Sequence, residues 1–364
     1  MKRKISLTVT IVLCLLLAFN QVSIAQQVSE NLIIVTLDGM RWQEVFKGAD
    51  KEILANKKFT KDSLGSFNQY WREDANTRRE ILFPFIWKEI AKKGQIIGNR
   101  ALGNYFNNAN PYKFSYPGYN EIFTGYPDTA VNSNDKILNK NVNVLEFLNQ
   151  QKEFKNKIAA FTTWDVFPFI LNTRRSGVYV NTNYDTLSNT IPGSDLINEM
   201  TRLSPRPIGV RPDVLTYFAA KTYLKSTLPR VLYIAFDETD DYAHAGNYNQ
   251  YLISAKAQDN FLADIWNWIQ NHPIYKDKTT LIVTCDHGRG DKNKENWQSH
   301  GEKIQEAGEI WMAAIGPNIA ALGERKDSIQ LYQKQLAATF AKILGFTFTA
   351  NHPVGEPIES LLKK

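Results

Sequence analysis

Residues 32–40 read Leu-Ile-Ile-Val-Thr-Leu-Asp-Gly-Met. The apolar run shows little alternation, as expected of a strand covered on both faces. Asp38 and Gly39 follow at once, so Asp38 stands where that strand ends. Four more runs share this character: Ile158–Phe161, Val231–Phe236, Leu281–Cys285 and Ile310–Ile315. Helical patterns lie between them at Pro84–Lys93, Val144–Gln151, Val214–Leu224 and Lys256–Asn271. A last one, Ile329–Leu344, stops at Gly345, a residue suited to ending a helix. Strands alternating with helices predict an α/β fold, with a mostly parallel central sheet flanked by helices on both faces.

Asp38, Asp240 and Asp286 each fall at or just past the end of a predicted strand. Open α/β sheets bind ligands at that edge, so the three carboxylates are expected to meet there. Asp240 and His244 are four apart and share a face of a helical turn, within reach of one ion. Asp237 and Asp241 crowd the same segment and rival Asp240. Asp286 and His287 follow TLIVTC, with Gly288 and Gly290 keeping the backbone close. The chain has five histidines, and His244, His287 and His300 all fall in these motifs. Three carboxylates and three imidazoles make two ligand sets for a pair of divalent ions. Imidazole mixed with carboxylate favours zinc, with manganese as the alternative.

Residues 114–127, FSYPGYNEIFTGYP, place Ser115 in a turn ahead of a helix expected to begin near Gly118. A hydroxyl there can cap the helix. It also sits where a helix N-terminus favours a phosphate, and a metal would make it a nucleophile.

The N-terminus carries a different signal. Lys2, Arg3 and Lys4 precede an apolar run from Ile5 to Phe19, and Ser23-Ile24-Ala25 offers small residues for cleavage. Residues 1–25 are read as a secretory signal, leaving 26–364 as the working chain, periplasmic or secreted, with no stable membrane span. Its removal takes away three positive charges, so the formal charge falls from +6 to +3. No clustered basic stripe argues for a nucleic-acid partner. Cys285 is then the one cysteine left, so no internal disulfide is expected. Two stretches, about 41–114 and 164–212, fit the strand–helix alternation poorly. They are read as insertions over the C-terminal edge of the strands, shaping a substrate pocket.

The ordered set LDG, SYPGYNEIFTGYP, DDYAH, TCDHG and a late SHG resembles the alkaline phosphatase superfamily. It is most similar to the type I phosphodiesterase/nucleotide pyrophosphatase branch and its bacterial secreted members. The resemblance spans roughly Asn31 to Gly345. It implies that one zinc is held by Asp38, Ser115, Asp286 and His287. A second would take Asp240, His244 and His300. It further implies hydrolysis of small-molecule phosphate esters, mono- or diester, through a phosphoseryl intermediate on Ser115. Asn134, with Asn132 close behind, matches a phosphate-contacting asparagine. Serine replaces the threonine usual in that branch, and Gly-Tyr follows Pro117 where Asn-His is usual. A monoesterase would need cations for the extra charge, for which Arg41, Arg174 and Arg175 are candidates.

Two alternatives remain at this point. A sulfatase of the same superfamily would carry C/S-x-P-x-R, but Tyr119 stands at the arginine position. A metal- or phosphate-binding protein on the same fold would keep the ligands without turnover. Oligomeric state is not encoded in any motif.

Overall fold

The structure is a computed structural model that describes residues 28–205 and 210–363. The signal at 1–25 lies outside the described residues.

Eleven strands form among the described residues: β1 (Asn31–Leu37), β2 (Gln95–Ile97), β3 (Asn104–Asn107), β4 (Ile158–Thr162), β5 (Tyr179–Thr182), β6 (Val231–Phe236), β7 (Thr279–Thr284), β8 (Glu309–Ile310), β9 (Met312–Ile315), β10 (Gly323–Glu324) and β11 (Ile329–Tyr332). Eight of them make one sheet in the order β10-β2-β9-β7-β1-β6-β4-β5. Among the described residues only β9 runs against the rest of that sheet. β1, β6 and β7 are buried along their whole length, which is why their sequences barely alternate. They are also neighbours. Leu37 pairs with Phe236 and Thr36 with Thr284, so the three strands end side by side.

The helices that carry or support the site are α1 (Ser115–Thr124), α2 (Asp213–Thr227), α3 (Glu238–His244), α4 (Tyr248–Asn271) and α5 (Leu336–Ile343). α1 begins at Ser115, three residues before the expected start. Pro117 sits within its first turn, where a missing N–H costs nothing. The pattern at Pro84–Lys93 is helical, but Ile86–Ile90 within it has π-helical bonding.

Two expectations are corrected. The run Ile310–Ile315 is not one strand. It breaks at Trp311, and β8 pairs with β3 whereas β9 pairs with β7 and β2. Trp311 is fully buried and its indole N–H donates to the Met40 carbonyl at 3.0 Å. Nor is Ile329–Leu344 all helix. Residues 329–332 form β11, parallel to β3, and the helix starts at Leu336. β3, β8 and β11 make a separate small sheet.

The stretch 41–114 contributes β2 to the large sheet and β3 to the small one, and 164–212 contributes the edge strand β5. At the opposite end from Asp38, Ser29 ties the chain down. Its N–H donates to the Ile343 carbonyl at 3.0 Å, and its hydroxyl meets Thr280 Oγ1 at 2.7 Å and Asn318 Oδ1 at 3.0 Å.

Candidate metal centre

Asp38 leaves the end of β1, Asp286 and His287 follow β7 after Cys285, and Asp240 and His244 ride on α3 just past β6. Because those strands are adjacent, side chains up to 249 residues apart reach one place. Ligand atoms of Asp38, Asp286 and His287 all lie within 4.8 Å of one another. So do those of Asp240, His287 and His300. His244 completes the second group, with Nε2 3.1 Å from Asp240 Oδ2 and 2.9 Å from His300 Nε2. Neither Asp237 nor Asp241 belongs to either group. The grouping differs from the expected partition in one respect: His287 stands within reach of both.

The first group is built so that each carboxylate keeps one oxygen free. Asp38 Oδ2 accepts from the Tyr119 hydroxyl at 2.8 Å, and Asp286 Oδ1 accepts from the Gly39 N–H at 3.1 Å. The other two oxygens, Asp38 Oδ1 and Asp286 Oδ2, are buried with no hydrogen-bond partner. They lie 3.5 and 3.3 Å from His287 Nε2. The His287 Nδ1–H donates to the Gly288 carbonyl at 2.9 Å, which leaves Nε2 with its lone pair. His300 is fixed in the same way by the Lys113 carbonyl, 3.3 Å from its Nδ1. Orphaned buried oxygens are costly unless something cationic meets them. The donor set, two carboxylate oxygens and an imidazole nitrogen beside a hydroxyl, fits a zinc-type divalent ion.

Electrostatics agree. Burial, with Asp286 and Asp240 nearby, pushes the Asp38 carboxyl well above its ordinary range. Burial pushes Asp286 up to about 7. Burial also lowers His287 to about 4 and His300 to about 2, so both imidazoles are neutral at neutral pH. Asp240 behaves differently. Burial alone would raise it, but the Arg289 guanidinium and then the hydrogen bond with His244 hold it well below the carboxylate range. Arg289 is buried, touches Asp240 Oδ1, and donates to the Gln298 carbonyl at 2.7 Å.

Ser115 is buried beside the first group, its Oγ 3.4 Å from His287 Nε2. Its hydroxyl does not cap α1: the N-cap position is Phe114, and no side chain there makes a cap bond. Asn134 meets this helix end instead, its Oδ1 accepting from the Tyr116 N–H at 2.9 Å. Close packing sets the height of α1. A Cβ on Gly118 would lie 2.6 Å from the Asp286 carbonyl oxygen. Gly39 is equally constrained: its φ is +59°, and a Cβ would lie 2.6 Å from Asp240 Oδ1.

The three arginines fall elsewhere. Arg41 is buried against Glu44 and Asp291, Arg175 is paired with Glu146, and Arg174 is exposed. The supporting roles of four residues were not read from the sequence. Tyr119 and Arg289 hold Asp38 and Asp240. Asn108 and Gln333, each directly after a strand of the small sheet, donate to the Asp286 carbonyl at 2.7 and 2.9 Å. Arg289 has a readable signal, a charge between two glycines directly after Asp-His; the two amides have none.

The family model for type I phosphodiesterase/nucleotide pyrophosphatase matches residues 50–353. The chain belongs to that family. Ser115, Asp240, His244, Asp286, His287 and His300 lie inside the matched span, and Asp38 lies just ahead of it. Membership makes the chain a phosphoester hydrolase. No curated protein matches it in sequence. Among solved structures it is similar to the wild-type alkaline phosphatase PafA, with a TM-score of 0.63 at 11% identity over 92% of this chain and 99% of that one. It is similar to murine ectonucleotide pyrophosphatase/phosphodiesterase 5, solved as an inactive variant with AMP (TM-score 0.54, 12% identity, 92% and 100% covered). The lipoteichoic acid synthase LtaP from Listeria monocytogenes is a third (TM-score 0.55, 12% identity, 89% and 74% covered). At such identities these likenesses establish the alkaline phosphatase-like fold. Among the described residues no helix is long and apolar enough to cross a membrane.

Proposed function

We propose that this chain is an exported hydrolase that cleaves phosphodiesters by attack of Ser115 on phosphorus, with two divalent ions, zinc by ligand type. One observation carries the reading: two orphaned carboxylate oxygens and an imidazole lone pair converge beside a buried serine hydroxyl. Asp38, Asp286, His287 and Ser115 would hold one ion, and Asp240, His244 and His300 the other. Ions so held would lower the pKa of the serine hydroxyl and neutralise charge on the phosphoryl and leaving oxygens. Ser115 Oγ gives up its proton to solvent and bonds to phosphorus, and the bond to the leaving oxygen breaks, that oxygen taking a proton from solvent to depart as an alcohol. Water then cleaves the phosphoseryl ester, restoring Ser115 and releasing the phosphate monoester. Asn134 spends its Oδ1 on Tyr116, so its amide N–H group would be the end offered to a phosphate oxygen. The leader at 1–25 would direct export, and 26–364 would act as one catalytic unit.

A diester is favoured over a monoester because two of the three arginine candidates for the extra charge are held in ion pairs. Arg41 and Arg175 are paired, and Lys136, two residues after Asn134, is held by Asp165 at 2.7 Å. A sulfatase is disfavoured because Tyr119, at the arginine position, is engaged with Asp38. The test is turnover of p-nitrophenyl phosphate and its bis ester, with and without chelator. The bis ester is expected to react faster, the chelator to stop both, and Ser115→Ala to lose at least about a thousandfold, roughly 4 kcal/mol of barrier. Faster monoester turnover overturns the diester reading. Near-normal turnover in Ser115→Ala overturns the nucleophile. Bound ions with no turnover of either ester would favour a binding protein.

A further inference from the structure

Tyr119 lies one turn along α1 from Ser115, on the side facing β1. Its residue is fully buried, and its ring packs edge-on against Phe167 with centroids 4.6 Å apart. The hydroxyl donates to Asp38 Oδ2 at 2.8 Å, while Asp38 Oδ1 has no partner. A free carboxylate offers two equivalent oxygens, either of which can meet a cation. Here one of them is already taken, and the remaining one is turned toward His287 Nε2 and the orphaned Asp286 Oδ2.

We propose that Tyr119 is a positioning residue for the first ion: its hydroxyl selects which Asp38 oxygen becomes the ligand and holds the carboxylate in a one-oxygen geometry. This rests on the two-ion reading above. Two features support a positioning role over simple packing. The donor is neutral, so it orients Asp38 without cancelling the negative charge that a cation needs. The Gly39 N–H does the same for Asp286, so the two first-group carboxylates are set up alike, one oxygen tied and one open. Tyr119 also ties Asp38, at the end of β1, to the helix that carries Ser115, four residues before it on α1. The nucleophile and the ligand beside it are thereby kept in register through a single helix.

The test uses the full mature chain, stripped of metal and titrated with zinc against a chromophoric chelator. Wild type is expected to take up two ions. Tyr119→Phe deletes the hydroxyl and keeps the ring, and is expected to weaken one of the two ions by about ten- to a hundredfold. Phe167→Leu loosens the same packing without touching the hydroxyl, and is expected to lower the Tm yet leave both affinities unchanged. Two tight ions in Tyr119→Phe, with wild-type affinities, overturn this proposal and leave the two-ion reading standing. Equal weakening by Phe167→Leu also overturns it, since packing would then be the cause. Failure of wild type to bind any divalent ion overturns the two-ion reading itself.

Discussion

Asp213 and Glu238 cap each other's helices. The Asp213 carboxylate accepts from the N–H groups of Asp237 at 2.9 Å and Glu238 at 3.2 Å, at the start of α3. The Glu238 carboxylate accepts in return from the Asp213 N–H at 3.1 Å, at the start of α2. Asp213 also receives Thr163 Oγ1 at 2.7 Å and Gln258 Nε2 at 2.9 Å. Because α3 carries Asp240 and His244, this clamp fixes half of the second ligand group. Asp213→Ala takes the acceptor from four donors, and the buried Asp237 N–H and Gln258 amide each cost about 1–3 kcal/mol when left unpaired. We expect a fall in Tm together with weaker binding of one ion, read by calorimetry and zinc stoichiometry. An unchanged Tm would show that the clamp contributes nothing.

Arg289 is the fixed cation of the second group. Removing one partner of a buried pair costs about 3–5 kcal/mol, because the other charge is left uncompensated. Arg289→Ala should therefore destabilise the metal-free protein by that order. Zinc should restore much of the loss, since an ion can take over the neutralisation of Asp240. Thermal melts with and without chelator check this, and an equal Tm drop in both conditions would count against it.

Ion uptake should depend on pH through Asp286. In the metal-free protein its carboxyl is pushed up to about 7, chiefly by burial. Below that pH an arriving ion must displace a proton; above it, the carboxylate is already ionised. Affinity should thus fall as pH drops through about 7, by about tenfold per unit for each proton displaced. His287, lowered to about 4, is neutral throughout this window and adds no opposing proton. Zinc titrations in two buffers of different ionisation heat should show more protons released near pH 6 than near pH 8. Equal release at both would contradict the assignment.

Gly118→Ala tests the packing of α1 on the Asp286 loop. In an exposed helix interior this change would stabilise by about 1 kcal/mol. Here the new methyl would sit 2.6 Å from the Asp286 carbonyl oxygen, so α1 must move. Overpacking of that kind costs about 1–3 kcal/mol, and the steric term wins. A lower Tm and reduced ester turnover are expected, and a stabilised, fully active variant would refute the close contact.

Much of the arrangement was legible in the sequence because it rests on long apolar runs. β1, β6 and β7 read directly as doubly covered strands, and the carboxylates at or just past their ends were placed by that reading alone. The break at Trp311 was not legible, because a six-residue apolar run looks the same whether it serves one sheet or two. β11 was missed although Ile329 and Leu331 point inward while Gln330 and Tyr332 point out. Its four residues are too few to outweigh the helical pattern that follows. The supporting contacts of Tyr119, Asn108 and Gln333 depend on residues far apart in sequence, and no local pattern announces them.

The hold on Ser29 settles which way the molecule faces. β1 runs seven residues, roughly 20 Å, from that anchor to Leu37, next to Asp38. Ser29 therefore lies at the end of the sheet remote from the two candidate ligand groups. A tag, bead or lipid surface joined directly at Ser29 would grip the back of the protein and leave the two ligand groups turned outward.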